Sequence, residues 1–401
     1  MAADSSARDA RRLLTTRALR GLADGLVSIL LAAHLDRLGF TPVEIGVIVT
    51  GTLLGSAIVT MAVGLGGVHV QRRTLLLAAS GLMLATGLGF AGFTTFWPLL
   101  VVAVLGTLNP TAGDVSVFLP VEQAALAQTA TGVQRAHAFA RYNVAGSLAG
   151  GLGALASIVP ERLASTLGLP STAAARFGFL LYAAVAIALA GIYRRLTAAV
   201  EHATTAHRPL ASSRSVVFRL AALFSLDSFG GGFVPQSLVV LWLHQRFDLS
   251  VATAGSIFFA AGLLAAFSQL MSSRIAARIG YVRTMVYTHL PANVFLVLAG
   301  IVPSAPLAVT FLLLRSALSQ MDVPARQAYV MALVPPEERT AASSVTNVPR
   351  SLAAALPPLA TGWLLGWSSF GWPLVVAGII KIAYDLLLLA QFHAVLPDEH
   401  A

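Results

Sequence analysis

Apolar residues run along this chain in twelve stretches, most of them about 20 residues long, the length a helix needs to cross a bilayer. Six lie at roughly 19–38, 43–67, 74–94, 97–118, 137–159 and 173–193, and six more at roughly 214–243, 250–272, 284–302, 306–333, 345–366 and 371–393. Between the two sets lies a polar segment, 194–213, containing Arg194, Arg195, Glu201, His202, His207, Arg208 and Pro209. The pattern predicts an all-α membrane protein of twelve transmembrane helices in two six-helix bundles, residues 1–193 and 214–401. The segment between them reads as a structureless connector.

The second half repeats the first. A shift of 204 positions carries Pro120-Val-Glu-Gln123-Ala124 onto Pro324-Ala-Arg-Gln327-Ala328, Arg135 onto Arg339, and Asn143-Val144 onto Asn347-Val348. One offset that matches polar and apolar positions together points to duplication. Internally repeated membrane domains are the form of many secondary transporters, which place their site where the repeats meet.

Composition narrows the class. Hydrophobic residues make up 57% of the 401 and charged residues 11%, and the mean hydropathy is +0.79. A soluble domain carries about 25% charged residues, so little of this surface is solvated and there is no room for a sizeable soluble domain. Cysteine is absent, which excludes disulfides and thiolate metal sites. No Gly-x-x-x-x-Gly-Lys loop is present for an ATP-driven pump, and the nine histidines lack metal-site spacing. The net charge of +9 reflects arginine placement rather than nucleic-acid binding. Arg8, Arg11, Arg12, Arg17 and Arg20, then Arg72, Arg73, Arg135, the central segment, Arg274, Arg278 and Arg283 fall on one side of the predicted spans. By the positive-inside rule both termini and the connector are cytoplasmic. The long first stretch runs on into a second, unlike a cleaved signal peptide. Apart from Lys381 every fixed cation is arginine, which reads as the coding bias of a GC-rich bacterial genome and places the protein in an inner membrane. Trp97, Trp363, Trp367 and Trp372 fall near the opposite ends of the spans, as an interfacial belt would.

Twelve spans, two similar halves, a cytoplasmic connector and basic 2–3 and 8–9 loops resemble the major facilitator superfamily over essentially the whole chain. Gly64-Leu-Gly-Gly67-Val68-His69-Val70-Gln71-Arg72-Arg73 resembles that family's loop signature, with Val68 where the family carries Asp. Ala276-Ala277-Arg278-Ile279-Gly280 with Arg283 keeps the arginine and glycine of the second copy, again without the acid. Gly146, Gly150, Gly151 and Gly153 resemble the glycine-rich fifth helix of family antiporters without its proline, and close helix packing explains them equally well. The resemblance implies two halves rocking about a midplane cavity lined in part by the first and seventh helices.

Charges inside the spans are the candidates for chemistry, because they are expensive there. Asp24 and Asp227 sit at nearly equivalent positions of the first and seventh stretches. Burial disfavours the charged form of a carboxylate, so either can bind a proton on one side and release it on the other. Each can instead pair with an arginine or cap a helix break. Glu122 and Arg326 are equivalent by the repeat and opposite in charge, with Gln123 and Gln327 beside them. This predicts a cytoplasmic latch between the halves; the alternative is pairing within each half, for instance of Glu122 with Arg135 or Arg141. Arg141, Asn143, Arg315, Asn347 and Arg350 are candidates for the substrate cavity, where guanidinium can grip a carboxylate or phosphate. Asp114 and Asp322, with the two proton candidates, could neutralise those arginines. Lys381 is expected to pair with Asp385 at i,i+4 on a peripheral helix, and His289 to be a packed polar residue.

The resulting expectation is a secondary transporter of a small organic solute, coupled to protons and working in export, with no cofactor and no enzyme activity. Its partners are the solute and the lipid bilayer, and the chain is expected to be a monomer. Proton-coupled uptake of an organic anion is the alternative within the class. A non-transporting sensor or a lipid mover is the alternative outside it.

Overall fold

The computed structural model describes residues 2–66, 70–111, 116–129, 132–201, 210–211, 213–335 and 337–392. Among these residues the secondary structure is helical throughout. Inside a bilayer no water is available to satisfy backbone N–H and C=O groups, and a helix satisfies them within the segment. The first half comprises α1 (Ala2–Arg37), α2 (Pro42–Gly66), α3 (Arg72–Gly92), α4 (Phe96–Leu105), α5 (Phe118–Gln128), α6 (Gly132–Ala156), α7 (Ile158–Thr166) and α8 (Ser171–Tyr193). The second comprises α9 (Arg214–Gly232), α10 (Gln236–Phe247), α11 (Val251–Ile279), α12 (Tyr281–Ile301), α13 (Ala305–Ser319), α14 (Asp322–Leu333), α15 (Arg339–Ala355), α16 (Pro357–Trp367) and α17 (Trp372–Phe392).

Nine helical spans among the described residues are long and apolar enough to cross a membrane, counting α6 with α7 and α9 with α10 as one each. Three further spans are broken in two: α4 with α5, α13 with α14, and α15 with α16. Together they make the twelve-span fold. The fourth and tenth spans resume at Phe118 and Asp322, the same offset of 204 seen in the sequence. Neighbouring spans satisfy the breaks. Thr107 N–H donates to Thr86 Oγ1 at 3.2 Å, and the Tyr182 hydroxyl donates to Thr107 O at 3.1 Å. Ser272 Oγ donates to Met321 O at 2.6 Å, and Thr361 Oγ1 to Phe233 O at 2.8 Å. Irregular backbone at membrane depth is tolerated under such cover.

Packing groups the chain differently from its sequence halves. One compact unit is Met1–Ala203 with Pro235–Phe259; the other is Thr204–Val234 with Ala260–Ala401. The helix break before Pro235 frees α10 to pack with the first unit, where Val240, Val251 and Ala254 join Leu26, Ile29, Leu30 and Ala154 in one buried cluster. Ser237 N–H donates to Pro110 O at 3.1 Å within the same unit. The core of the second unit is built on Leu220, Phe224, Met285, Tyr329, Tyr384 and Leu388.

The segment between the halves is partly docked rather than structureless. Thr197 donates to Asp9 Oδ2 through its hydroxyl (2.5 Å) and its N–H (3.2 Å), and Arg12 joins Asp9 Oδ1 at 2.8 Å. A 3₁₀ turn at Ala198–Glu201 then delivers the Glu201 carboxylate to the start of α3, where the N–H groups of Arg72 and Arg73 donate to it at 2.7 and 2.9 Å. A carboxylate is favoured at a helix N-terminus. The acid missing at Val68 is thus matched by one from the linker, docked at the next helix; Val68 and His69 themselves, and 202–209, lie outside the described residues.

The glycines of α6 pack on α1. A Cβ on Gly25 would lie 2.0 Å from Gly150 O, and one on Gly153 the same distance from Leu22 O. Small residues at such crossings let backbones approach and gain dispersion contact, which accounts for this cluster without a transport role. Gly25→Ala and Gly153→Ala are each expected to cost about 1–3 kcal/mol through overpacking. Gly81→Ala, with open space around it, should be neutral or better. Thermal unfolding of the purified variants in detergent measures the contrast.

Candidate functional site

Each unit contains a buried polar network on its first and fourth spans. In the first unit the fully buried Glu122 of α5 accepts from Arg20 of α1, in a salt bridge, and from the Tyr142 hydroxyl of α6. Its other oxygen accepts from Thr16 Oγ1 and Tyr193 Oη, both at 2.6 Å. The Arg20 guanidinium also lies 5.1 Å from the Phe118 ring centroid, and Arg17 stands 5.2 Å from that of Tyr142. A carboxylate with this many donors has its charge fully compensated.

In the second unit the polarity is reversed. Arg326 of α14 reaches Asp227 Oδ2 of α9 at 3.3 Å and Asp322 Oδ2, one turn earlier on its own helix, at 3.2 Å. The other Asp227 oxygen accepts from Lys381 Nζ of α17. His289 of α12 points Nε2 at that same oxygen from 3.8 Å, and its Nδ1 lies 2.9 Å from Asp385 Oδ1. Asn293, one turn on, donates to Asp385 Oδ2 at 2.9 Å.

These contacts overturn two expectations. Glu122 and Arg326 each find partners within their own unit, Glu122 pairing with Arg20 and not with Arg141; the Arg135 side chain lies outside the described residues. Lys381 is buried against Asp227, not paired with Asp385, because helix rotation turns the lysine towards α9 and leaves Asp385 to α12. Arg20 was legible only as a basic flank because the first span was expected to begin near residue 19; α1 in fact starts at Ala2, which puts Arg20 well inside it. Tyr142, Tyr193 and Thr16 carried no distinguishing signal in one sequence.

The remaining candidates divide by their partners. Asp24 on α1 is buried, yet among the described residues no hydrogen bond reaches its carboxylate. Arg315 on α13 is half-buried, and its Nε is buried without a partner. Arg350 on α15 donates from Nε to Ser228 Oγ at 3.1 Å and from Nη1 to Asn347 Oδ1 at 3.2 Å, so it has no carboxylate on it. Asn347 is exposed and donates to Ser343 Oγ at 3.2 Å. Asn143 and Gln123 are half-buried, and Arg141 and Gln327 are exposed, without hydrogen bonds to them among the described residues. Asp114 lies outside the described residues.

A family model described as Major Facilitator Superfamily matches residues 13–314 and 220–400. The chain belongs to that superfamily. It is thus a multi-pass membrane transport protein and not an enzyme. An uncharacterized membrane protein of Saccharomyces cerevisiae, YJR124C, is 26% identical over 423 residues, covering 96% of this chain and 94% of the relative. The xylose transporter XylE from E. coli, in an inward open conformation, superposes with a TM-score of 0.73 at 15% identity, over 94% of this chain and 95% of that one. The nucleoside transporter NupG gives 0.69 at 12% identity, over 95% and 98%. At such identities the likeness is one of fold.

Double-mutant cycles separate pairing within a unit from a latch. Removing one partner of a buried pair costs about 3–5 kcal/mol, so Glu122→Gln is expected to lose stability in that range. A cycle of Glu122 with Arg20 should return a coupling of about 0.5–3 kcal/mol, and one of Glu122 with Arg326 none. By the same logic Lys381 should couple to Asp227 and not to Asp385. Unfolding of each variant in detergent measures all four cycles.

Proposed function

We propose that this transporter moves a small organic solute by alternating access, driven by protons, and that Asp24 carries the coupling proton in the first unit. The observation behind this is the contrast between the two acids on the first and seventh spans. Asp227 is held by Lys381 and Arg326; Asp24 is buried with no donor on it among the described residues. Arg20 and Arg17 lie within electrostatic reach of Asp24 without a hydrogen bond to it, and Arg20 is bonded to Glu122; a buried carboxylate with no donor relieves its desolvation by binding a proton. A carboxylate free to gain and lose a proton is what coupling requires. Export in exchange for protons is the direction that family resemblance suggests.

A second reading, uptake of an organic anion with protons, is favoured by the arginines. The acids that could have neutralised them in the second unit are engaged elsewhere, Asp322 by Arg326 and Asp227 by Arg326 and Lys381. That leaves Arg315 and Arg350 without a carboxylate, and both are suited to gripping one on a solute.

Proton flux is the test, read by an internal pH dye in liposomes challenged with organic anions, cations and neutral drugs. A solute-triggered pH change that falls to background in Asp24→Asn supports the reading, and its sign separates export by exchange from uptake. Persistence of the wild-type signal in a folded Asp24→Asn variant sinks Asp24 as the carrier. If the solute is an anion, Arg315→Ala is expected to raise its half-saturation concentration about ten- to hundredfold, the worth of one charged hydrogen bond.

A further inference from the structure

His289 sits between two carboxylates, and the geometry at its two nitrogens is unequal. Nδ1 is 2.9 Å from Asp385 Oδ1, while Nε2 is 3.8 Å from Asp227 Oδ1. A carboxylate oxygen and a bare imidazole nitrogen are both acceptors, so a contact of 2.9 Å needs a proton between them. Asp385 is fully buried, and its other oxygen accepts from Asn293 Nδ2 at 2.9 Å; that same Nδ2 lies 3.1 Å from His289 Nδ1, so its amide proton is spent on Asp385 when Nδ1 carries its own. A hydrogen bond from Nδ1–H to a carboxylate fixes the tautomer and leaves Nε2 as the nitrogen that exchanges protons. Here Nε2 faces the Asp227 oxygen that Lys381 also holds.

Among the described residues charged and titratable groups surround the ring, and Arg350 of α15 lies within electrostatic reach of Asp227 and Asp322. Asp227 comes from α9, Asp322 and Arg326 from α14, and Lys381, Tyr384 and Asp385 from α17. On α13 stands Arg315, which makes no hydrogen bond among the described residues but lies within electrostatic reach of Asp227. The Tyr384 ring meets His289 edge to face, with centroids 6.0 Å apart. Within the set joined by contact, three carboxylates face two fixed cations, Arg326 and Lys381.

We propose that His289 is a proton-binding residue of the second unit, oriented by Asp385 through Nδ1 and gaining and losing the proton on Nε2, which faces Asp227. On release the Nε2–H bond breaks, the proton passes to solvent water, and the imidazolium becomes the neutral Nδ1–H tautomer; on uptake the Nε2–H bond forms again. Lys381 holds the Asp227 oxygen that Nε2 faces, so the carboxylate stays ionised beside the ring. Asp385 and Asn293 are positioning residues. The use of this proton in transport rests on the proton-coupled reading above; the existence of the site does not.

The test observes the ring directly. Full-length protein with ¹⁵N-labelled histidine is reconstituted in lipid nanodiscs, and the His289 signals are identified by their loss in His289→Gln. The expected result is an Nδ1 that stays protonated while Nε2 gains and loses its proton with pH. Asp385→Asn, which keeps the residue's size if His289→Gln folds poorly, should remove the tautomer preference and mix the two neutral forms. A bare Nδ1 with a permanently protonated Nε2, or a ring whose protonation ignores pH, overturns the proposal. Absence of proton flux in liposomes would overturn proton coupling alone, because the ring's titration is read without any solute.

Discussion

The structure is organised around a buried ion pair that ties the first span of each half to the fourth. In one unit the base lies on α1 and the acid on α5; in the other the acid lies on α9 and the base on α14. An unpaired charge at this depth is far costlier than a paired one, so each pair constrains how its two spans rotate and slide. The same constraint recruits the hydroxyls of Thr16, Tyr142 and Tyr193 around Glu122. Around Asp227 it gathers Lys381 and His289. Duplication preserved the fourth-span member of the pair with its sign reversed, Glu122 becoming Arg326, while the first-span partner changed from Arg20 to Asp227, the near-equivalent of Asp24.

Close packing works alongside these charges. Gly25, Gly150 and Gly153 bring α1 and α6 into backbone contact, and without water to drive association, small residues supply helix adhesion in a membrane. Helix breaks complement that adhesion. The backbone freed near Thr107, Met321 and Phe233 is satisfied from adjacent spans, so the broken spans keep their polar groups paired. Among the described residues, Asp24 in the first unit receives no hydrogen bond on its buried carboxylate, and Arg315 and Arg350 in the second lack a carboxylate contact.

The spans, their duplication and the family were legible because they rest on properties that one residue at a time reveals. Apolar runs of membrane length, a fixed offset of 204 and arginine-bearing loops survive without knowledge of any contact. The candidate site was legible only as a set of charges. Asp24, Asp227, Glu122, Arg326, Lys381 and His289 stood out because charge or an ionisable ring in a membrane span is conspicuous. Their pairing was not, since it depends on which face of each helix turns inward.

By itself the sequence determined the class of the molecule, its twelve spans and the residues from which any chemistry must be drawn. Bilayer thickness and the need to satisfy every backbone group leave a hydrophobic chain little choice there. Tertiary structure decided the partners: Arg20 rather than Arg141 for Glu122, Asp227 rather than Asp385 for Lys381, and two carboxylates for His289. A few ångströms of separation set the strength of a buried charge pair, and those distances arise from helix rotation and crossing, which no single span records.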